Sequence, residues 1–158
     1  MRPIKFRAWD RYMKQMVKVK TLDFSPQGAE CAVDYSDING DIDGEWDLME
    51  YTGLKDSEDV EIYEGDIVEI DVQEYVAGYE RETLHTGVLE YDGEGMRYCL
   101  KPIGKPKLLV GTPPDDDSGI SGWGELSWEP EYLDYVQQED ITVIGNIYEN
   151  PELLEAHE

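Results

Sequence analysis

The run Asn39-Gly40-Asp41-Ile42-Asp43-Gly44-Glu45-Trp46-Asp47-Leu48-Met49-Glu50 carries oxygen ligands at positions 1, 3, 5, 9 and 12, glycine at 6 and an apolar residue at 8. That spacing approaches the Ca²⁺ loop of an EF-hand, with Asn39, Asp41, Asp43, Asp47 and Glu50 as candidate ligands. Two features oppose it. Asparagine at position 1 lowers the ligand charge, and residues 32–35 and 48–51 read as strands where an EF-hand needs helices. A plain Asn-Gly or Asp-Gly hairpin turn is the competing assignment. Other chemistry is sparse. The 2 histidines, His85 and His157, are too few for a multi-histidine metal site, and no base–nucleophile constellation can be assembled around them. His85 falls in a polar stretch and reads as a solvated loop residue. Carboxylates are so abundant that no acid/base pair can be singled out. Neither G-x-x-x-x-G-K-[ST] nor G-x-G-x-x-G occurs. Cys31 and Cys99 are far apart and read as two buried thiols. The expectation is a protein without catalytic residues and without a cofactor.

Charge limits the partners. The 158 residues hold 13 Lys+Arg against 37 Asp+Glu, a formal charge of −24. Binding to nucleic acid or to an anionic membrane surface relies on basic patches, so neither is expected. A basic protein partner is compatible. With 40% hydrophobic residues and 11 tyrosines, the chain can bury a core and should fold as one domain or slightly more. The distribution is uneven: residues 1–20 carry Arg2, Lys5, Arg7, Arg11, Lys14, Lys18 and Lys20 against Asp10 alone, a balance of +6, which leaves −30 for the remainder. Such a segment should attract the acidic body of its own chain or of a neighbouring copy until salt screens it. Equally, it can be an ordinary strand pair with a basic solvent face. No signal-peptide pattern opens the chain and no apolar run reaches the length of a membrane span, so a cytoplasmic location is expected.

The elements that must position these residues are strands. Ile4, Phe6 and Ala8 alternate with Lys5, Arg7 and Trp9, and Val17 and Val19 alternate with Lys18 and Lys20, which predicts a hairpin. Residues 25–44 read as a loop-bearing acidic hairpin, and Trp46–Tyr51 as its returning strand. Thr52–Asp59 is a connecting turn region, and Glu64-Gly65-Asp66 a tight turn. A second β unit follows: Ile67–Val72, a polar excursion from Gly78 to His85, Gly87–Tyr91, a turn at Asp92-Gly93-Glu94-Gly95, and Met96–Leu100. Residues 102–125 are rich in proline, glycine and aspartate and read as a mobile loop. Short helical turns are expected near 131–138 and at Asn150–Leu154, and Ile141–Ile147 closes as a strand. The predicted fold class is mainly β, either a small partly open SH3-like barrel or two packed antiparallel sheets. Residues 1–56 form an N-terminal β segment and 57–158 a barrel-like unit, within one compact domain overall.

Four blocks carry a resemblance. Ile4-Lys5-Phe6-Arg7-Ala8-Trp9-Asp10, Met49-Glu50-Tyr51-Thr52-Gly53-Leu54-Lys55-Asp56, Glu61-Ile62-Tyr63-Glu64-Gly65-Asp66-Ile67-Val68 and Val143-Ile144-Gly145-Asn146-Ile147-Tyr148-Glu149-Asn150-Pro151-Glu152-Leu153-Leu154 resemble, in order, the YopX family of phage and prophage proteins. The resemblance implies a mainly β fold and a phage or prophage origin. It implies no activity and no catalytic residues, because the family is of uncharacterised function. The blocks also have a structural meaning, with Gly53, Gly65 and Gly145 suited to turns or bulges.

Two functional classes follow. The first is an accessory protein of unknown role that binds a protein partner or associates with itself, through Lys5, Arg7, Lys18 and Lys20 and through the interface-type aromatics Trp123 and Trp128. The second is an acidic nucleic-acid mimic that occupies a DNA-binding protein. Against the mimic, the carboxylates form no evident stripe along the sequence. Direct DNA binding through the basic segment is the weakest alternative.

Overall fold

A computed structural model describes residues 1, 3–26, 28–33, 46–76, 78–111 and 136–155. Two antiparallel sheets, neither closed into a barrel, account for the ten strands among them. The first has the order β3-β2-β1-β4-β5, from β1 (Phe6–Asp10), β2 (Gln15–Ser25), β3 (Gly28–Val33), β4 (Trp46–Lys55) and β5 (Glu61–Tyr63). The second has the order β10-β6-β7-β8, with β9 also on β7, from β6 (Asp66–Val76), β7 (Tyr79–Asp92), β8 (Arg97–Pro102), β9 (Lys107–Val110) and β10 (Ile141–Asn146). The sheets belong to two compact units, Met1–Leu54 with Glu61–Glu64, and Lys55–Val60 with Gly65–Glu158.

In the first unit the predicted hairpin is present, with Ala8 opposite Val17 and Arg7 opposite Lys18. Ala8 and Val17 form a small buried cluster with Val19, Leu22, Trp46 and Leu48 against it. A buried aspartate builds the turn between β1 and β2. Asp10 Oδ1 accepts the N–H groups of Tyr12 and Met13 at 2.8 and 2.9 Å, and its carbonyl accepts the Lys14 N–H at 2.9 Å. Lys14 takes the left-handed conformation, φ 55°, that closes the loop onto Gln15. At Gly65, φ 78° suits a residue without Cβ and turns the chain from β5 into β6.

In the second unit, Ile67, Val68, Ile70, Leu89, Leu100 and Ile141 are fully buried. Here Asp56 is the organising polar group. Its Oδ1 accepts the N–H groups of Glu58 and Val60 at 2.9 Å each, and its Oδ2 accepts that of Val143 in β10 at 3.0 Å. Gln138 Nε2 donates to its carbonyl, and the Ser57 N–H donates to Ile141 O. The Asp56–Val60 turn thus covers the outer edge of β10, which would otherwise present unpaired backbone groups. Burial opposes ionisation of Asp56, yet the three backbone N–H donors outweigh it and hold the carboxyl below the usual carboxylate value. A second turn follows β10. Asn146 Oδ1 accepts the Tyr148 and Glu149 N–H groups at 3.1 and 2.9 Å, ahead of the 3-10 turn Pro151–Leu154.

Two local expectations change. The polar excursion from Gly78 to His85 is not a loop but the first half of β7, in unbroken register with β6 from Tyr79↔Val76 to Val88↔Ile67. His85 is therefore a half-buried strand residue, its Nε2 2.9 Å from Thr83 Oγ1, and burial pulls its imidazole below the ordinary value. Within 102–125, Lys107–Val110 forms β9, because its apolar run can pair with the upper part of β7. The Asp92–Gly95 turn occurs, but its left-handed residue is Met96, φ 52°, rather than a glycine. Residues 112–125 and 131–135 lie outside the described residues, and the 3-10 turn Gln138–Asp140 follows them.

Candidate functional site

Register places two charged surfaces, one on each sheet. On the first, β1, β4 and β5 bring Lys5, Arg7, Tyr51, Glu61 and Tyr63 together. The Lys5 ammonium pairs with Glu61 and lies 5.3 Å from the Tyr51 ring centre, and the Arg7 guanidinium lies 4.5 Å over Tyr63. Tyr51 and Tyr63 are themselves 5.4 Å apart. Such contacts favour the cation over an aromatic face. The hydrogen bond to Glu61 is the main reason that Lys5 holds its proton more firmly than usual. Tyr63 Oη donates to Glu61 Oε2 at 3.0 Å, and burial, with that bond, pushes its phenol up to about 12. Arg11 grips Asp47 with two nitrogens, one at 3.0 Å. Lys5 and Arg11 therefore pair with carboxylates of the sheet that carries them, and Arg7 stacks on its Tyr63.

Tyr63→Phe tests that arrangement. Removing the hydroxyl should cost about 1 kcal/mol, the net worth of one hydrogen bond. The neutral phenol is the form the fold favours, so its contribution is present below the unfolded value near 10 and disappears as pH rises through about 12. Ultraviolet titration of wild type should show one late tyrosine that is absent from the variant.

Lys18 and Lys20 point outward on β2 and are exposed. The hairpin tip was not singled out from sequence, yet it presents Tyr12, 89% exposed, and Met13, 59% exposed, between Arg11 and Lys14. Its signal was a four-residue interruption between two alternating runs. Trp123 and Trp128 lie outside the described residues, as do Asn39, Asp41 and Asp43. The remaining loop candidates, Asp47 and Glu50, sit on β4 in continuous register with β1. Three residues apart on a strand, they project from opposite sides and are not brought together. Among the described residues no group of three or more His, Cys, Asp or Glu is placed to hold a metal ion.

On the second sheet the β6–β7 register lays out a row that sequence alone did not reveal. Asp71 opposes Leu84, Gln73 opposes Glu82, Tyr75 opposes Glu80 and Glu69 opposes Thr86. Odd residues of β6 and even residues of β7 share one face, so Glu69, Asp71, Glu80 and Glu82 lie within a patch about 20 Å long. The opposite face holds Val68, Ile70, Thr83 and Gly87, all buried. The carboxylates interact strongly: a hydrogen bond with Asp71, then burial and the charges of Asp71 and Glu80, raise the Glu82 carboxyl above its usual value. Asp71 Oδ1 is shielded from solvent and accepts no hydrogen bond while Glu82 is ionised. Tyr75, 80% exposed, stands at the end of the row. Lys107, opposite Leu84, is the cation nearest in register, whereas farther along Lys101 approaches Glu90 at 3.8 Å and Arg97 opposes Asp92.

Other reactive groups are structural. Thr83 and His85 resemble a nucleophile and base, but Thr83 is fully buried, which denies a substrate access. Cys99 is a free thiol, half-buried, and burial followed by Asp92 and Glu90 pushes it up, away from the reactive thiolate. No helix among the described residues is long and apolar enough to cross a membrane.

A mainly β chain of two antiparallel sheets, its motif residues spent on turns, is the class defined here. The chain belongs to the YopX family: the family model, described as YopX protein, matches residues 5–155. No curated protein matches it. Among solved structures, protein EF1440 from Enterococcus faecalis is similar, with 27% identity over 98% of this chain and 100% of that one, at a TM-score of 0.49.

Proposed function

We propose that this chain is a phage- or prophage-type accessory protein that works in the host cytoplasm by binding a basic protein through the carboxylate row on β6 and β7. The unsatisfied Asp71 Oδ1 beside Glu82 carries this reading. A buried acceptor without a donor costs about 1–3 kcal/mol, and an incoming guanidinium or ammonium relieves that penalty while separating the carboxylates' mutual repulsion. Three further carboxylates and the exposed Tyr75 supply long-range attraction and an aromatic anchor.

A nucleic-acid mimic is the narrower form of the same idea. It is favoured by the regular spacing of the row, since alternate residues on a strand stand about 7 Å apart, close to the separation of successive phosphates along one strand. Affinity capture from host lysate tests both. Proteins that leave wild type as salt rises should be missing from the Glu80→Gln, Glu82→Gln, Asp71→Asn variant. Displacement of those proteins by free duplex DNA would mark the mimic. Retention of the same set by wild type and variant would sink both readings.

A further inference from the structure

The tip of the β1–β2 hairpin is shaped like a ligand. Asp10 fixes its backbone through two accepted N–H bonds and a third from Lys14 to the Asp10 carbonyl, so little conformational freedom remains to be lost on docking. Arg11, held by Asp47, anchors its base. What projects beyond is Tyr12 and Met13, both largely exposed, and the ammonium of Lys14, which has no ion-pair partner among the described residues; Lys18 lies farther down β2. An aromatic, a flexible thioether and a cation form a compact surface with one polarity.

From this complementarity we infer that a second copy of the chain seats its hairpin tip, Tyr12-Met13-Lys14, on the carboxylate row of β6 and β7, so that copies associate head to tail. The inference rests on the row being a docking surface and names one occupant for it. Residues 1–20 carry +6 and the remainder −30, so each copy holds both halves of the contact. Lys14 faces Glu80 and Glu82, and Tyr12 meets Tyr75, the exposed aromatic beside them. The contact joins unlike surfaces, so it continues from copy to copy until it closes into a ring or is capped. It also makes the copies and a basic partner compete for one face, so association keeps that face covered until a stronger partner arrives.

Sedimentation velocity of the purified full chain at low ionic strength, repeated at high salt, tests this contact. Wild type should sediment as species larger than a monomer at low salt, growing with concentration, and should dissociate as salt rises. A tip variant, Tyr12→Ser with Lys14→Glu, and a row variant, Glu80→Lys with Glu82→Lys, should each be monomeric. Mixed, they should form a 1:1 pair and stop there, because only one complete contact can be made; the pair also proves that both variants are folded. A monomeric wild type, a row variant that associates like wild type, or two monomeric variants that do not pair would each overturn the head-to-tail contact. A labelled oligoarginine peptide, added to the tip variant, reads the row by itself: retained binding keeps the row as a basic-partner surface whatever the copies do.

Discussion

Asp56→Ala should lower the stability of the second unit by about 3 kcal/mol, because three backbone N–H groups lose the buried carboxylate that accepts them. For a unit of this size the midpoint of thermal unfolding should fall by more than about 10 °C. Asp56→Asn should do less harm, since one carbonyl oxygen can still accept, although its amide turns a donor toward the third N–H. The pH dependence has a definite sign. The folded carboxyl is held below its unfolded value near 3.9, so the ionised group stabilises the fold above that pH and the contribution is lost as pH falls through the lower folded value. The gap between wild type and Asp56→Asn in denaturant titrations should therefore be full at neutral pH and close below about pH 4. A constant gap across that range would mean that charge at Asp56 does not matter.

Gly87→Ala should be a damaging small change in the sheet. A Cβ there would stand 2.9 Å from the Lys101 carbonyl oxygen and 3.1 Å from Leu100 Cδ2. The nearer neighbour is backbone in the paired strand β8, so it can yield only by spreading the ladder, at a cost of about 2 kcal/mol. Gly93→Ala is the matched control. Its Cβ would meet nothing within 4 Å, and stability should stay within about 0.5 kcal/mol of wild type. Equal effects of the two substitutions in chemical denaturation would show that the close approach at Gly87 is not what glycine serves there.

Much of the scaffold was legible because period-2 alternation survives wherever one side of a strand is apolar. Ile4–Ala8 and Val17–Val19 show it, and Gly65 marks the turn it builds. Where both sides are polar the signal fails. Glu80-Arg81-Glu82-Thr83-Leu84-His85 reads as a loop by composition, yet Thr83 is fully buried and every residue pairs with β6. The same failure hid the carboxylate row, since Glu82 becomes a neighbour of Asp71, and Glu80 of Tyr75, only after register aligns two strands. Lys5 and Arg7 were found by charge and spacing, but charge cannot tell a binding group from one already paired to Glu61 or stacked on Tyr63. Asp10, Asp56 and Asn146, among the 37 carboxylates and few amides of the chain, gave no individual signal; burial and accepted N–H bonds distinguish them. All three lie in the blocks that mark the family, which makes those blocks largely a record of turn construction.

The most direct measurement of the carboxylate row as a docking surface is titration of the labelled oligoarginine peptide into three proteins at one moderate ionic strength. These are wild type, a row variant with Glu69, Asp71, Glu80 and Glu82 changed to their amides, and a control with Glu58, Glu94, Glu139 and Glu155 changed to glutamine. Row and control carry the same net charge, so diffuse attraction is equal in both. The row variant should lose about tenfold or more in affinity, and the control no more than about threefold. Equal losses in the two variants would contradict the account, because they would make the acidity of this chain a property of its whole surface rather than of one sheet.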